Sequence, residues 1–311
     1  MSSRTESQRA PIALAAILFA ALLWGTTGIC SKLLNGFSIT DPIAIGFYRM
    51  VLAVPPLAAA SWLTLGRGLF SVTRRELLTM FLMGAMLALY QACFFASVAR
   101  TGVAIATVIT LCSAPILTAL LSALLLREWP SRRLLLSLTL AVAGTLLLIG
   151  WQSQPVAGGG SATLAGTLLA LSSATGYAVM TLAGRTIAQR SHPLQTTTIS
   201  FAFSALILFV VALPNGLTFE LRAEAWLLLI YLGLLPSALG YVIFVWAMRY
   251  TPATVATIVT LIEPLTATVL ARLIFGERLS ATALAGACLL AGAMLLLFTA
   301  RRPITQNQEA H

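Results

Sequence analysis

Two ionisable side chains sit well inside long apolar runs of this chain, Arg49 and Glu263. A charge at the centre of a bilayer costs at least about 2.5–3.5 kcal/mol on insertion scales, so each needs a partner or water. Glu263 has two readings. It can be a cavity carboxylate that meets a substrate ammonium or a coupling proton, or a structural partner for Arg49 and for backbone amides freed beside Pro264. Arg49 is either half of an ion pair with Glu263 or a structural anchor leaning toward the nearer interface. Around them lies a set of hydroxyls. Thr107 and Thr110 are three residues apart, as are Thr257 and Thr260, so each pair shares a helix face. Ser113 and Glu263 continue those faces one turn on. Such a stripe can line a polar cavity, or its hydroxyls can bond to the i−4 carbonyl or to a neighbouring helix.

Pro115 and Pro264 fall midway along the same two runs, where proline deletes a backbone bond and kinks a helix. Tyr90, Gln91, Phe94, Tyr177, Tyr241 and Phe244 also fall mid-run. Aromatic walls with a few polar groups suit a bulky, partly apolar ligand, and ordinary helix packing uses the same residues. No cluster of His, Cys, Asp and Glu has metal-ligand spacing, and Cys30, Cys93, Cys112 and Cys288 form neither a disulfide framework nor a metal motif. Neither a metal nor a cofactor is expected.

The elements that must position these groups come in two copies. Thr101, Ala106, Thr107, Thr110, Leu111 and Pro115 recur as Thr251, Ala256, Thr257, Thr260, Leu261 and Pro264, and Glu128 and Ser131 recur as Glu277 and Ser280. The offset is about half of the 311 residues. Of those residues, 59% are hydrophobic and only 9% charged, against about 25% charged in a soluble domain. Turn residues and charges divide the chain into ten apolar runs, roughly 11–34, 42–65, 76–99, 102–126, 132–151, 163–188, 194–213, 224–249, 252–275 and 281–300. Each is about long enough to cross a bilayer, and a backbone in lipid must satisfy itself as helix. The fold class is therefore all-α integral membrane. The first run is too long for a signal peptide and reads as a retained helix.

Thirteen basic residues flank the runs on the side of the N-terminus and five on the other. The excess puts both termini in the cytoplasm. It also explains the net charge of +10 without a nucleic-acid partner. Five spans per half is an odd number, so the second half enters from the opposite face and the repeat is inverted. An inverted repeat suits alternating access around a central site. The expected organisation is a tail over 1–10, a five-helix repeat over 11–151, a linker over 152–161, a second repeat over 162–300 and a tail over 301–311. Small residues at four-residue spacing, Ser137, Ala141 and Thr145 in one run and Ala283, Ala287 and Ala291 in another, predict close helix approach or a subunit contact.

Ten apolar helices, a five-plus-five duplication and the Pro-then-Glu pattern closing each half resemble the drug/metabolite transporter superfamily, and within it the EamA-type bacterial exporters. The resemblance covers Pro11 to Ala300. Its most specific parts are Ala114-Pro115 with Arg127-Glu128, and Glu263-Pro264 with Gly276-Glu277. It implies a helical basket around a central cavity and export of small metabolites across the bacterial inner membrane. The branch it resembles most is that of the aromatic amino acid exporters; a multidrug or nucleotide-sugar-like carrier is the alternative. The implied partners are a small-molecule substrate, the lipid bilayer and, in a proton-coupled carrier, protons, with the protein a monomer or weak homodimer.

Other classes fit less well. No HExxH or GxSxG pattern appears, and His192 and His311 lie in a loop and at the terminus. The segment Gly25–Lys32 has the outline of a phosphate loop, but Cys30 stands where glycine is needed. A channel would want a ring of repeated filter residues, and none is visible.

Overall fold

The computed structural model describes residues 2–35, 42–149, 160–215, 217, 222–276 and 280–299. Asp41, Trp151, Glu277, Arg278, most of the 152–161 linker and the 301–311 tail lie outside the described residues.

Ten helical runs long and apolar enough to cross a membrane occupy the described residues, and each overlaps one of the ten expected from hydropathy. Helices α1 (Ser2–Asn35), α2 (Pro42–Leu65) and α3 (Arg74–Thr101) form the first three spans. The fourth is α4 (Val103–Leu121) followed by a π-helical turn, Ser122–Leu126. Then come α5 (Arg132–Ile149), α6 (Gly160–Ala188) and α7 (Pro193–Ala212). The eighth span is broken into α8 (Ala223–Leu232), a π-helical stretch Gly233–Leu239, and α9 (Gly240–Ala247). The ninth is α10 (Ala253–Thr260) and α11 (Ile262–Phe275), and α12 (Ala281–Thr299) is the tenth.

Local chemistry sets the boundaries. Thr73 and Glu76 cap α3 reciprocally: Glu76 N donates to Thr73 Oγ1 at 3.3 Å and Thr73 N to Glu76 Oε2 at 2.9 Å. Gly102, at φ 82°, separates α3 from α4 with no residue to spare. The fourth and ninth spans both end on a left-handed residue, Arg127 (φ 57°, ψ 26°) and Gly276 (φ 69°, ψ 17°). Only glycine takes that conformation without a Cβ penalty.

Packing is between spans distant in sequence. α3 lies along α6 and α7, α2 along α7 and the Gly233–Leu239 stretch, α4 along α6, α1 along α9, α10 and α11, and α5 along α12. The α5–α12 pair uses the expected small residues in part. Ser137, Ala141 and Thr145 are buried, with Gly144 set against Gly286. In α12 the buried residues are Ala283, Gly286, Leu290, Ala293 and Met294, not the expected ladder through Ala287 and Ala291. The stripe thus serves contact within the chain.

Candidate functional site

A single residue, Leu261, interrupts the ninth span. Its backbone (φ −65°, ψ −4°) ends α10, and its amide makes a tight bond to Ile258 O at 3.1 Å. Pro264 follows and brings no N–H, so the i−4 bond to Thr260 O cannot form. Glu263 therefore lies in the first turn of α11, where the positive end of a half-helix favours an acid. No such interruption occurs in the fourth span. α4 runs unbroken through Pro115, so of the two kinks expected from proline only the one at Pro264 is a helix break. The eighth span carries a further irregularity that the expected pair did not include, the π-helical stretch around Pro236.

Spans three, four, six and nine converge at this break on a small cavity. Tyr90, Thr110, Leu111, Ala114, Pro115, Tyr177, Thr257, Thr260, Leu261 and Glu263 line it. Its volume is about 10 Å³, room for about one water-sized group. Tyr177 donates to Thr260 Oγ1 at 3.2 Å, and its ring meets that of Tyr90 edge-on at 5.4 Å between centroids. The threonine hydroxyls donate to backbone: Thr260 to Thr257 O at 2.9 Å, Thr257 to Thr254 O at 3.0 Å and Ala253 O at 3.2 Å, and Thr110 across to Ala170 O on α6 at 3.3 Å. The hydroxyl protons of Thr110, Thr257 and Thr260 are thus bonded to carbonyls, and the same three residues are among those that line the cavity.

Six of the expected site residues lie elsewhere. Thr107, Ser113, Gln91 and Phe94 are absent from the cavity lining, although Phe94 stacks beside Tyr90 at 6.4 Å. Gln91 is buried with neither amide atom bonded. Tyr241 and Phe244 are core, not cavity wall. Both pack on Trp24, at 4.8 and 5.1 Å, and Tyr241 also meets Phe201 at 5.1 Å. Trp24 is a residue that sequence reasoning missed. Its Nε1 donates to Pro236 O at 2.8 Å in a buried site, closing the π-helical stretch. A tryptophan far from either end of an apolar run was the available signal.

The direct ion pair between Arg49 and Glu263 does not form. Arg49 Nε donates instead to Ser237 Oγ at 3.2 Å, and the salt bridge found among the described residues is Arg185 to Glu128 at 3.4 Å. The π-helical stretch places Ser237 where it intercepts the guanidinium.

A second polar cluster closes the end of the bundle where α1 begins and α6 and α9 finish. Besides its bond to Glu128, Arg185 donates to Met248 O at 2.7 Å and Arg249 O at 3.2 Å. Arg249 returns bonds to Ala188 O at 2.6 Å and Ser191 O at 3.1 Å, while Arg9 donates to Tyr250 Oη at 2.9 Å. His192 caps α7 by accepting from Leu194 N at 3.3 Å. Burial and the charge of Arg249 push its imidazole down from the ordinary histidine value.

The sequence model of the EamA-like transporter family matches residues 11–150 and again 164–299. The chain is 30% identical over 295 residues to the uncharacterized transporter YwfM of Bacillus subtilis (strain 168), covering 95% of this chain and 96% of that one. It is 25% identical to the uncharacterized inner membrane transporter YicL of Salmonella typhimurium (strain LT2), covering 90% and 93%. A protein crystal structure 18% identical in sequence superposes with a TM-score of 0.77, covering 92% of this chain and 96% of that one, a likeness of fold.

Proposed function

The chain belongs to the EamA-like transporter family, a transporter and not an enzyme, and from that premise we propose a secondary carrier that exports small metabolites by alternating access. The proposed substrates are amino acids, aromatic or otherwise apolar, and the proposed site is the cavity beside Glu263. The observation that carries this reading is the convergence of four spans on one interrupted helix, with an acid in the first turn after the break. Broken helices at mid-membrane are where carriers of several folds build their sites.

The reading includes an inverted five-plus-five repeat. Two features support it. Contacts map onto themselves when each span is exchanged for the one five along: three on six becomes eight on one, four on six becomes nine on one, and two on seven and five on ten map to themselves. In addition, Arg127 and Gly276, equivalent in the two halves, share one left-handed backbone conformation. With both termini cytoplasmic, the Arg185–Glu128 cluster is the closed cytoplasmic end. The inner-membrane location follows the description of YicL.

Counterflow in proteoliposomes, screened across the amino acids with and without a proton gradient, tests the function. Saturable counterflow is expected. Glu263→Gln is expected to lower the initial rate about tenfold or more, or to flatten its pH dependence, since a charge-assisted contact is typically worth 1.5–3 kcal/mol and every 1.4 kcal/mol is tenfold. Normal transport by this variant between pH 6 and 8 (about one unit either side of neutrality) would make Glu263 structural.

A further inference from the structure

We infer that the cavity beside Glu263 binds the ammonium head of the substrate, so that this carrier reads a protonated amine and does not read a carboxylate there. The inference rests on the transport reading above and narrows its substrate class.

The protons around the cavity can be assigned one by one. A threonine or tyrosine hydroxyl has one proton to donate and lone pairs to accept with, and a carbonyl only accepts. Thr257, Thr260 and Thr110 all direct their protons to backbone carbonyls. With its own proton committed, Thr260 Oγ1 can only accept from Tyr177, and that bond uses the Tyr177 proton. These four residues line the cavity, and with their protons committed they have lone pairs, not donors, to offer a group bound there. Glu263 adds its carboxylate to the same wall, and among the described residues it has no hydrogen-bond partner and no ion pair within 4.0 Å. Only the Tyr90 hydroxyl remains with an uncommitted proton.

A wall of acceptors suits a group rich in donors. An ammonium brings three N–H donors and the charge opposite to Glu263. A carboxylate brings acceptors alone, would find the Tyr90 proton as its single donor on this wall, and would carry the same charge as Glu263 into a low-dielectric interior. Arg49 could have read a carboxylate, but Ser237 holds it away and it does not line the cavity. The edge-on pair of Tyr90 and Tyr177 adds aromatic surface, to which cations are attracted.

The test uses four probes sharing one phenyl group: phenylalanine, phenethylamine, N-acetylphenylalanine and 3-phenylpropionate. Binding to the full-length protein in detergent is read by thermal shift at pH 7.5, for wild type and Glu263→Gln. The two ammonium probes are expected to bind with affinities within about threefold of each other. The two lacking an ammonium should bind about tenfold or more weakly, and Glu263→Gln should erase the preference. Equal binding of N-acetylphenylalanine or 3-phenylpropionate overturns the inference, as does failure of both ammonium probes to bind or a preference that survives Glu263→Gln. The melting curve of the unliganded variant shows whether it is folded; if it is not, the order of the four probes on wild type decides. The counterflow screen separately judges the carrier reading, so transport of a different solute class would leave a carrier standing and this inference refuted.

Discussion

Trp24 joins two spans that hydropathy alone leaves unrelated. Its indole packs against both Tyr241 and Phe244, and its N–H satisfies Pro236 O, 212 residues away. Trp24→Phe keeps most of the ring contact and leaves that buried carbonyl unbonded. The expected cost is about 1–2 kcal/mol, read as a lower melting temperature in detergent; an unchanged melting temperature would mean the stretch around Pro236 needs no such bond. At this scale the sequence was partly legible. Glu263 stood out because an isolated charge in an apolar run is costly, and Thr110, Thr257 and Thr260 because their spacing is duplicated. What each hydroxyl would bond was not legible, since the acceptor for Thr110 comes from α6, 60 residues on. For the same reason Tyr241 and Phe244 could not be told from cavity wall: core and lining use the same residue types, and the difference lies in which neighbour packs against them.

Spans were easy to find and their irregularities were not. Ten apolar runs with sharp breakers follow from composition because lipid offers the backbone no alternative to helix. A proline only removes one donor, and whether the helix then breaks depends on what packs beside it. Hence α4 passes through Pro115 intact, the ninth span stops at Leu261 beside Pro264, and Pro236 sits in a widened stretch held by Trp24. Close approaches between elements were equally hidden. A Cβ on Gly84 of α3 would lie 2.3 Å from Ser200 O of α7, whereas one on Gly28 would meet nothing within 4 Å. Gly84→Ala is expected to destabilise the protein by about 1–3 kcal/mol as the two helices separate, and Gly28→Ala to leave the melting temperature nearly unchanged. Equal behaviour of the two variants would contradict the packing described.

The whole molecule was legible in outline because its halves repeat. The thirteen-to-five bias of basic residues predicts that the 66–75 and 127–133 loops are cytoplasmic. A cysteine at position 131, in place of Ser131, should resist an impermeant reagent added to intact cells; labelling from outside would invert the topology. How the ten spans pair could not be read from hydropathy, because the partners lie on distant segments, α3 with α6 and α1 with α9 and α11. The cavity between spans three, four, six and nine is the proposed transport site, and as such it must open during the cycle. The direct test is thiol accessibility at Thr110→Cys and Thr257→Cys, in a protein whose Cys30, Cys93, Cys112 and Cys288 have been replaced by serine or alanine. A small aqueous reagent is expected to label both positions, at rates that change when a substrate giving counterflow is added. Resistance to labelling at both positions, in every transport condition and from both sides of the membrane, would mean that the threonines are packing and that the site lies elsewhere.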